Sequence, residues 1–194
     1  MYSTEHEIKS FLEKIGVVHY GIREGGVVDV VGSVDISDLG LLEIPVQFGF
    51  INGNFMCYNN KLSSLEGCPS VVDGNFNCSS NRITSLEYLP KEVSMDIDCS
   101  DNKIVSLKGV ELVLGGSFYC MGVELLTLEC DFKSVKGFVH FDKCAIDIDY
   151  SNYMEKSYIK MSFQQLKNIG LNIELNNLSP ILIDSVLPVK LNKI

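Results

Sequence analysis

Tryptophan is absent from this chain of 194 residues, histidine occurs three times, and 16 basic residues stand against 25 acidic ones. Scarce positive charge argues against nucleic acid as a partner, because binding it requires Lys and Arg to neutralise phosphates. No apolar run approaches ~18–20 residues, so no membrane span is expected, and the polar N-terminal stretch is unlike a signal peptide. No C-x-x-C pair is present, which removes the usual zinc framework despite seven cysteines. Also missing are G-x-S-x-G, the P-loop and the dinucleotide-binding fingerprint. His140 is expected to point outward and Cys120 inward, so they cannot readily form a nucleophile and base pair. The acid pairs Asp96-x-Asp98 and Asp147-x-Asp149 could meet a hard cation, but no loop spacing resembles a calcium site. The expectation is a protein that is not an enzyme, with no catalytic residue, metal or cofactor.

What is present is one stretch, repeated. Residues 53–69, GNFMCYNNKLSSLEGCP, return from Gly74 as GNFNCSSNRITSLEYLP. Further copies start at Met95, Gly116 and, weakly, Gly137, and one lies upstream from Gly32, all spaced by 21 residues. A short fixed period predicts a solenoid, in which no repeat buries its own apolar face and each stacks on its neighbours. The apolar positions fall in columns. The first is Val34, Phe55, Phe76, Ile97, Phe118 and Val139, and the second Ile36, Cys57, Cys78, Cys99, Cys120 and Phe141. A third runs Leu39, Asn60, Asn81, Asn102, Val123 and Cys144, followed by Leu41, Leu62, Ile83, Ile104, Leu125 and Ile146. Last come Ile44, Leu65, Leu86, Leu107 and Leu128, with Ile148 one place short.

The first two columns have period two, so they face one side of a short strand, and stacked copies predict a parallel sheet with that side inward. The asparagines follow the strand where the chain must turn. A buried amide there can satisfy backbone groups of its own and the next turn. Where Val123 and Cys144 replace it, a less regular turn is expected.

The pattern apolar-x-Cys-x-x-Asn-x-Leu-x-Ser-Leu-Glu-x-x-Pro resembles the leucine-rich repeat, in a short variety associated with proteins of large bacteriophages and prophages. The resemblance spans roughly residues 30–150. It implies an α/β repeat fold, a leucine-rich-repeat solenoid with a parallel β-sheet, and a binding scaffold rather than a particular activity.

Cys57, Cys78, Cys99 and Cys120 would stack about 4.8 Å apart with parallel Cα–Cβ vectors, which suits a disulfide poorly. An odd cysteine count and a buried ladder predict reduced thiols and a cytosolic location. Residues 32–150 hold eight basic and seventeen acidic residues, which accounts for the chain's formal charge of −9.

The ends read as caps. Residues 3–15 predict an amphipathic helix, with Thr4 and Glu7 as a capping box and Ile8, Phe11, Leu12 and Ile15 on one face. Residues 17–20 and 27–31 predict a hairpin around Arg23–Gly26, so 1–31 form an N-terminal cap. The six repeats occupy 32–150. Residues 150–157 read as a polar connector, Ser162 and Gln165 as a second capping box, and 151–194 as a C-terminal cap or partner-binding appendage.

If Phe55 and Cys57 point in, the alternate residues form a continuous outward face, the concave surface of such solenoids. The candidate partner-binding residues on it are Asp35, Met56, Tyr58, Asn77, Asp96, Asp98, Tyr119, Met121, Phe138 and His140. Exposed aromatics and Met beside acid are what protein interfaces favour, and Tyr58, Asp96, Asp98, Tyr119 and Phe138 are expected to carry recognition. The alternative is that the C-terminal segment covers those aromatics. The expected function is a non-enzymatic protein-binding scaffold. The bacteriophage resemblance implies a host cytosolic partner, with inhibition of a host protein, including one of antiviral defence, as the outcome. A self-associating structural or assembly protein is the alternative.

Overall fold

Thr4 starts the first element. Its hydroxyl accepts from the Glu7 N–H (3.2 Å), while the Glu7 carboxylate accepts from the Thr4 N–H (3.0 Å), so α1 runs from Glu5 to Lys14. The structure, a computed structural model, describes residues 4–126, 130–141, 143–144, 154–155, 158–162 and 165. Ile8, Phe11 and Leu12 face the core. The hairpin that follows pairs β1 (Tyr20–Ile22) with β2 (Val28–Val31), antiparallel. Its first strand begins later than the sequence suggests, because the Val17 N–H is spent on Leu12 O (2.9 Å) at the helix end. Gly25 and Gly26, at φ 83° and 77°, make the turn, and Arg23 closes it on Asp29 (Nη2–Oδ1 2.9 Å).

The coils then alternate between two sheets. The strands are β3 (Val34–Asp35), β4 (Phe48–Asn52), β5 (Phe55–Met56), β6 (Val71–Val72), β7 (Phe76–Asn77), β8 (Glu92–Val93) and β9 (Ile97–Asp98). Next come β10 (Val113–Leu114), β11 (Phe118–Tyr119), β12 (Glu124–Leu125), β13 (Ser134–Val135), β14 (Phe138–Phe141) and β15 (Lys143–Cys144). β16 (Met154–Glu155) and β17 (Tyr158–Ser162) complete the set. One sheet is ordered β1-β2-β4-β6-β8-β10-β13, the other β16-β17-β14-β11-β9-β7-β5-β3. All pairs between successive coils are parallel, giving a β-solenoid of about five turns with little helix.

The single expected sheet is therefore two. The first of these, which contains β2, β4, β6, β8, β10 and β13, was not expected and rests on an inward column at the same 21-residue step, Val30, Ile51, Val72, Val93, Leu114 and Val135, all buried. Between the sheets the expected columns stack as core, and the Phe55 and Phe76 rings lie 5.8 Å apart at 7°. Leu39 departs from this. It is 48 % exposed, because it occupies the Asn column in the first coil, where no preceding coil covers it. Residues 154–155 and 158–162, read in part as a connector, form a hairpin that extends the second sheet antiparallel to β14. The rest of the segment read as a C-terminal cap, beyond Ser162 and Gln165 of the second capping box, falls outside the described residues, as do Leu128, Ile146 and Ile148, and Ser162 ends β17.

The buried asparagines make the corners. Asn81 Nδ2 donates to Cys78 O (3.1 Å) and Cys57 O (3.0 Å), and its Oδ1 accepts from Leu62 N (3.0 Å). Asn60 and Asn102 repeat this bonding, which ties each coil to the preceding one rather than the next. At Val123 the amide is gone. Gly122 turns the chain at φ 66°, and β12 pairs with β15 as a separate two-stranded sheet.

Candidate partner-binding face

The outward face of the second sheet is three rows deep, and register fixes who neighbours whom. The middle row is Asp35, Met56, Asn77, Asp98, Tyr119 and His140. The row two residues earlier holds Ser33, Asn54, Asn75, Asp96, Ser117 and Phe138, and the later one Ser37, Tyr58, Ser79, Ser100 and Met121.

Most polar members of these rows are occupied by the fold itself. In the early row each side-chain oxygen accepts the backbone N–H of the next coil. Ser33 Oγ takes Asn54 N (3.0 Å), Asn54 Oδ1 takes Asn75 N (2.8 Å), and Asn75 Oδ1 takes Asp96 N (3.0 Å). Asp96 Oδ1 takes Ser117 N (2.7 Å), and Ser117 Oγ takes Phe138 N (3.2 Å). In the middle row Asp35, Asn77 and Asp98 each accept from the N–H two residues on, at 2.9 Å, an Asx turn that ends the strand. These oxygens are pre-positioned at no cost to a ligand, with one lone pair of each already used and, at Asp35, Asn54 and Asn77, a second one taken by Ser37 Oγ, Asn75 Nδ2 and Ser79 Oγ.

The remaining side chains fall into two groups. Met56, Asn75, Asn77, Asp96, Asp98 and Tyr119 line an open depression of about 320 Å3, with Phe76 beneath. Beyond it the Tyr119 ring stacks on His140 (centroids 4.4 Å, 15°), and Phe138 meets His140 edge-on at 6.3 Å. Phe138 remains 43 % exposed, but His140 is buried, with the Tyr119 ring stacked flat beside it from the neighbouring strand. His140 is therefore packed within this aromatic cluster rather than offering a free contact surface. Tyr58 and Met121 are half-buried in the third row, one strand beyond Ser79 and Ser100 respectively, and do not line the depression; Asp35 stands exposed at the N-terminal edge.

Behind the face the thiols are quiet. Cys57, Cys78, Cys99 and Cys120 are buried without a disulfide. Burial pushes the Cys78 and Cys99 thiols well above the usual range, and neighbouring ladder thiols and the Asp98 carboxylate add to it. Cys57 is raised first by its hydrogen bond with Cys68, then by burial. Such thiols are neither nucleophiles nor ligands. Among the described residues no three His, Cys, Asp or Glu side chains gather to hold a metal, and no described helix is long and apolar enough to cross a membrane. Asp142, Asp147 and Asp149 lie outside the described residues, as does the Cys144 side chain.

Two features of the face escaped the sequence reading. One is the hydrogen-bonding ladder of the early row, whose signal is an oxygen-bearing residue at every step from Ser33 to Ser117. The other is a turn column, Asp38, Asn59, Ser80, Asp101 and Gly122, every member at positive φ between 52° and 66°. The opposite sheet also presents apolar side chains outward, with Phe50 and Val113 each 40 % exposed. No protein-family model matches the chain, and neither a curated protein nor a solved structure matches it.

Proposed function

We propose that the chain is a non-enzymatic protein-binding scaffold that engages its partner through the outward face of the second sheet. One observation carries this reading: Met56 and Tyr119 share a depression with Asp96 and Asp98, and the exposed Phe138 lies just beyond it, while the polar side chains around them are committed to the sheet. Aromatic anchors provide much of the binding energy at protein interfaces. The column pattern supports assigning the coils to the short leucine-rich-repeat type. Its bacteriophage association extends the proposal to a host cytosolic partner, including an antiviral defence protein, held inactive by binding alone. Buried reduced thiols support a reducing compartment such as the cytoplasm.

The test is an affinity capture from bacterial cytosol with the wild type beside a Tyr58→Ser/Tyr119→Ser/Phe138→Ser variant of verified fold. A partner retained only by the wild type, and inhibited in the complex, is the expected result. Retention by both, or by neither, contradicts the reading.

A further inference from the structure

The depression on this face combines charge, amides and two apolar ends, and that combination selects an occupant. Met56, Asn77, Asp98 and Tyr119 lie in one row across four adjacent strands. Asp96 sits two residues before Asp98, on the same face of β9. Each carboxylate is held in place by a backbone donor, Ser117 N–H on Asp96 and Ser100 N–H on Asp98. Neither enters an ion pair among the described residues. Both are half-buried, so solvent screens them less than surface charges. Tyr119 is flanked by His140 on one side and Asp98 on the other; its ring stacks on His140 and leaves the opposite side towards the depression.

We propose that the depression receives an arginine side chain of the partner protein, its guanidinium lying on Asp96 and Asp98 and against the Tyr119 ring. This rests on the reading that the face binds protein. A planar guanidinium matches carboxylate oxygens with two parallel donors, stacks on aromatic rings and loses hydration readily, whereas a lysine ammonium does none of these as well. Met56 packs along the arginine's methylene stem. A hard metal ion fits less well. Asn77 Oδ1 already accepts from both Ser79 N (2.9 Å) and Ser79 Oγ (2.7 Å), which leaves two carboxylates and the Asn75 amide oxygen where calcium takes about six oxygens or more. The chain's formal charge of −9 also draws a cationic partner from a distance.

The experiment titrates the isotopically labelled full chain, at physiological salt, with the peptide Gly-Ser-Gly-Ser-Arg-Ser-Gly-Ser-Gly and with its lysine and citrulline counterparts. The arginine peptide is expected to shift the amide resonances of Asn77, Asp98 and Tyr119 and to bind about tenfold more tightly than either counterpart. An Asp96→Asn/Asp98→Asn variant should lose about tenfold in affinity. It should also keep its fold, because Asn75 and Asn77 make the same ladder and turn bonds one coil earlier. Equal binding of the lysine or citrulline peptide, unchanged binding by the Asn variant, or no shift with any peptide would overturn the proposal. A captured partner that depends on Tyr58, Tyr119 and Phe138 but ignores the Asp-to-Asn changes would end the arginine assignment and leave the binding face standing. One indifferent to both would end both.

Discussion

At the scale of single residues, the solenoid is held by side chains that do backbone work. Asn81 reaches three carbonyls, those of Cys57, Cys78 and Ser79, and one N–H at a buried corner, and losing it removes all four bonds. Asn81→Ala is expected to cost about 3 kcal/mol, read from the shift in a urea unfolding curve, since each unsatisfied buried group costs ~1–3 kcal/mol. Ser80 adopts φ 55°, where an L side chain other than Asn or Asp is strained. Ser80→Gly should therefore gain about 0.5–1 kcal/mol and Ser80→Val lose about 1–2 kcal/mol; the same sign for both would refute the strain. Asp96 tests the ladder in the same assay. Asn in its place should be neutral within about 0.5 kcal/mol, whereas Ala, which strands the Ser117 N–H, should cost about 1 kcal/mol.

At the scale of elements, the coil is a stack of columns, and what a column buries sets what it contributes. Phe76 is fully buried, with the Phe55 ring stacked on one side and Ile97 next in the column on the other, and Phe76→Ala should cost about 3–5 kcal/mol, while Leu39→Ala, at an exposed position, should stay within about 0.5 kcal/mol. The thiol ladder makes a pH prediction. Folded Cys57, Cys68, Cys78 and Cys99 have raised pKa values, so the neutral thiols are favoured in the folded state. Their contribution is complete below the unfolded thiol pKa of about 8.5 and is lost as pH rises beyond it, by up to ~1.4 kcal/mol per pH unit for each thiol. Urea midpoints that stay level from pH 8 to pH 10 would contradict this. The second sheet's inward columns were legible because Phe-x-Cys alternates and recurs every 21 residues. The other sheet was not, since most of its coils bury a single strand residue there rather than an alternating pair. Its outward partners, Phe50, Val71, Glu92, Val113 and Ser134, share no polarity, so no alternation marks a strand there.

At the scale of the whole molecule, the question is which surface meets another protein. Among the described residues the N-terminal edge strand β3 has no neighbour beyond it, yet Asp35 turns its carboxylate onto Ser37 N–H and puts a charge on that edge, which discourages pairing with a second copy. Sedimentation across a wide concentration range should accordingly show a single monomeric species. The candidate face was legible in outline, because period-two alternation predicts which residues turn outward. The burial of His140 was not, since it follows from a ring stacked across strands rather than from its own position. The most direct measurement is a paired capture that sets the two sheets against each other. Tyr58→Ser/Tyr119→Ser/Phe138→Ser alters one outward face and Phe50→Ser/Val113→Ser the other, with wild type as reference. Loss of the partner with the first variant and retention with the second is the predicted result. Retention with the first and loss with the second would place the interface on the opposite sheet and contradict the account.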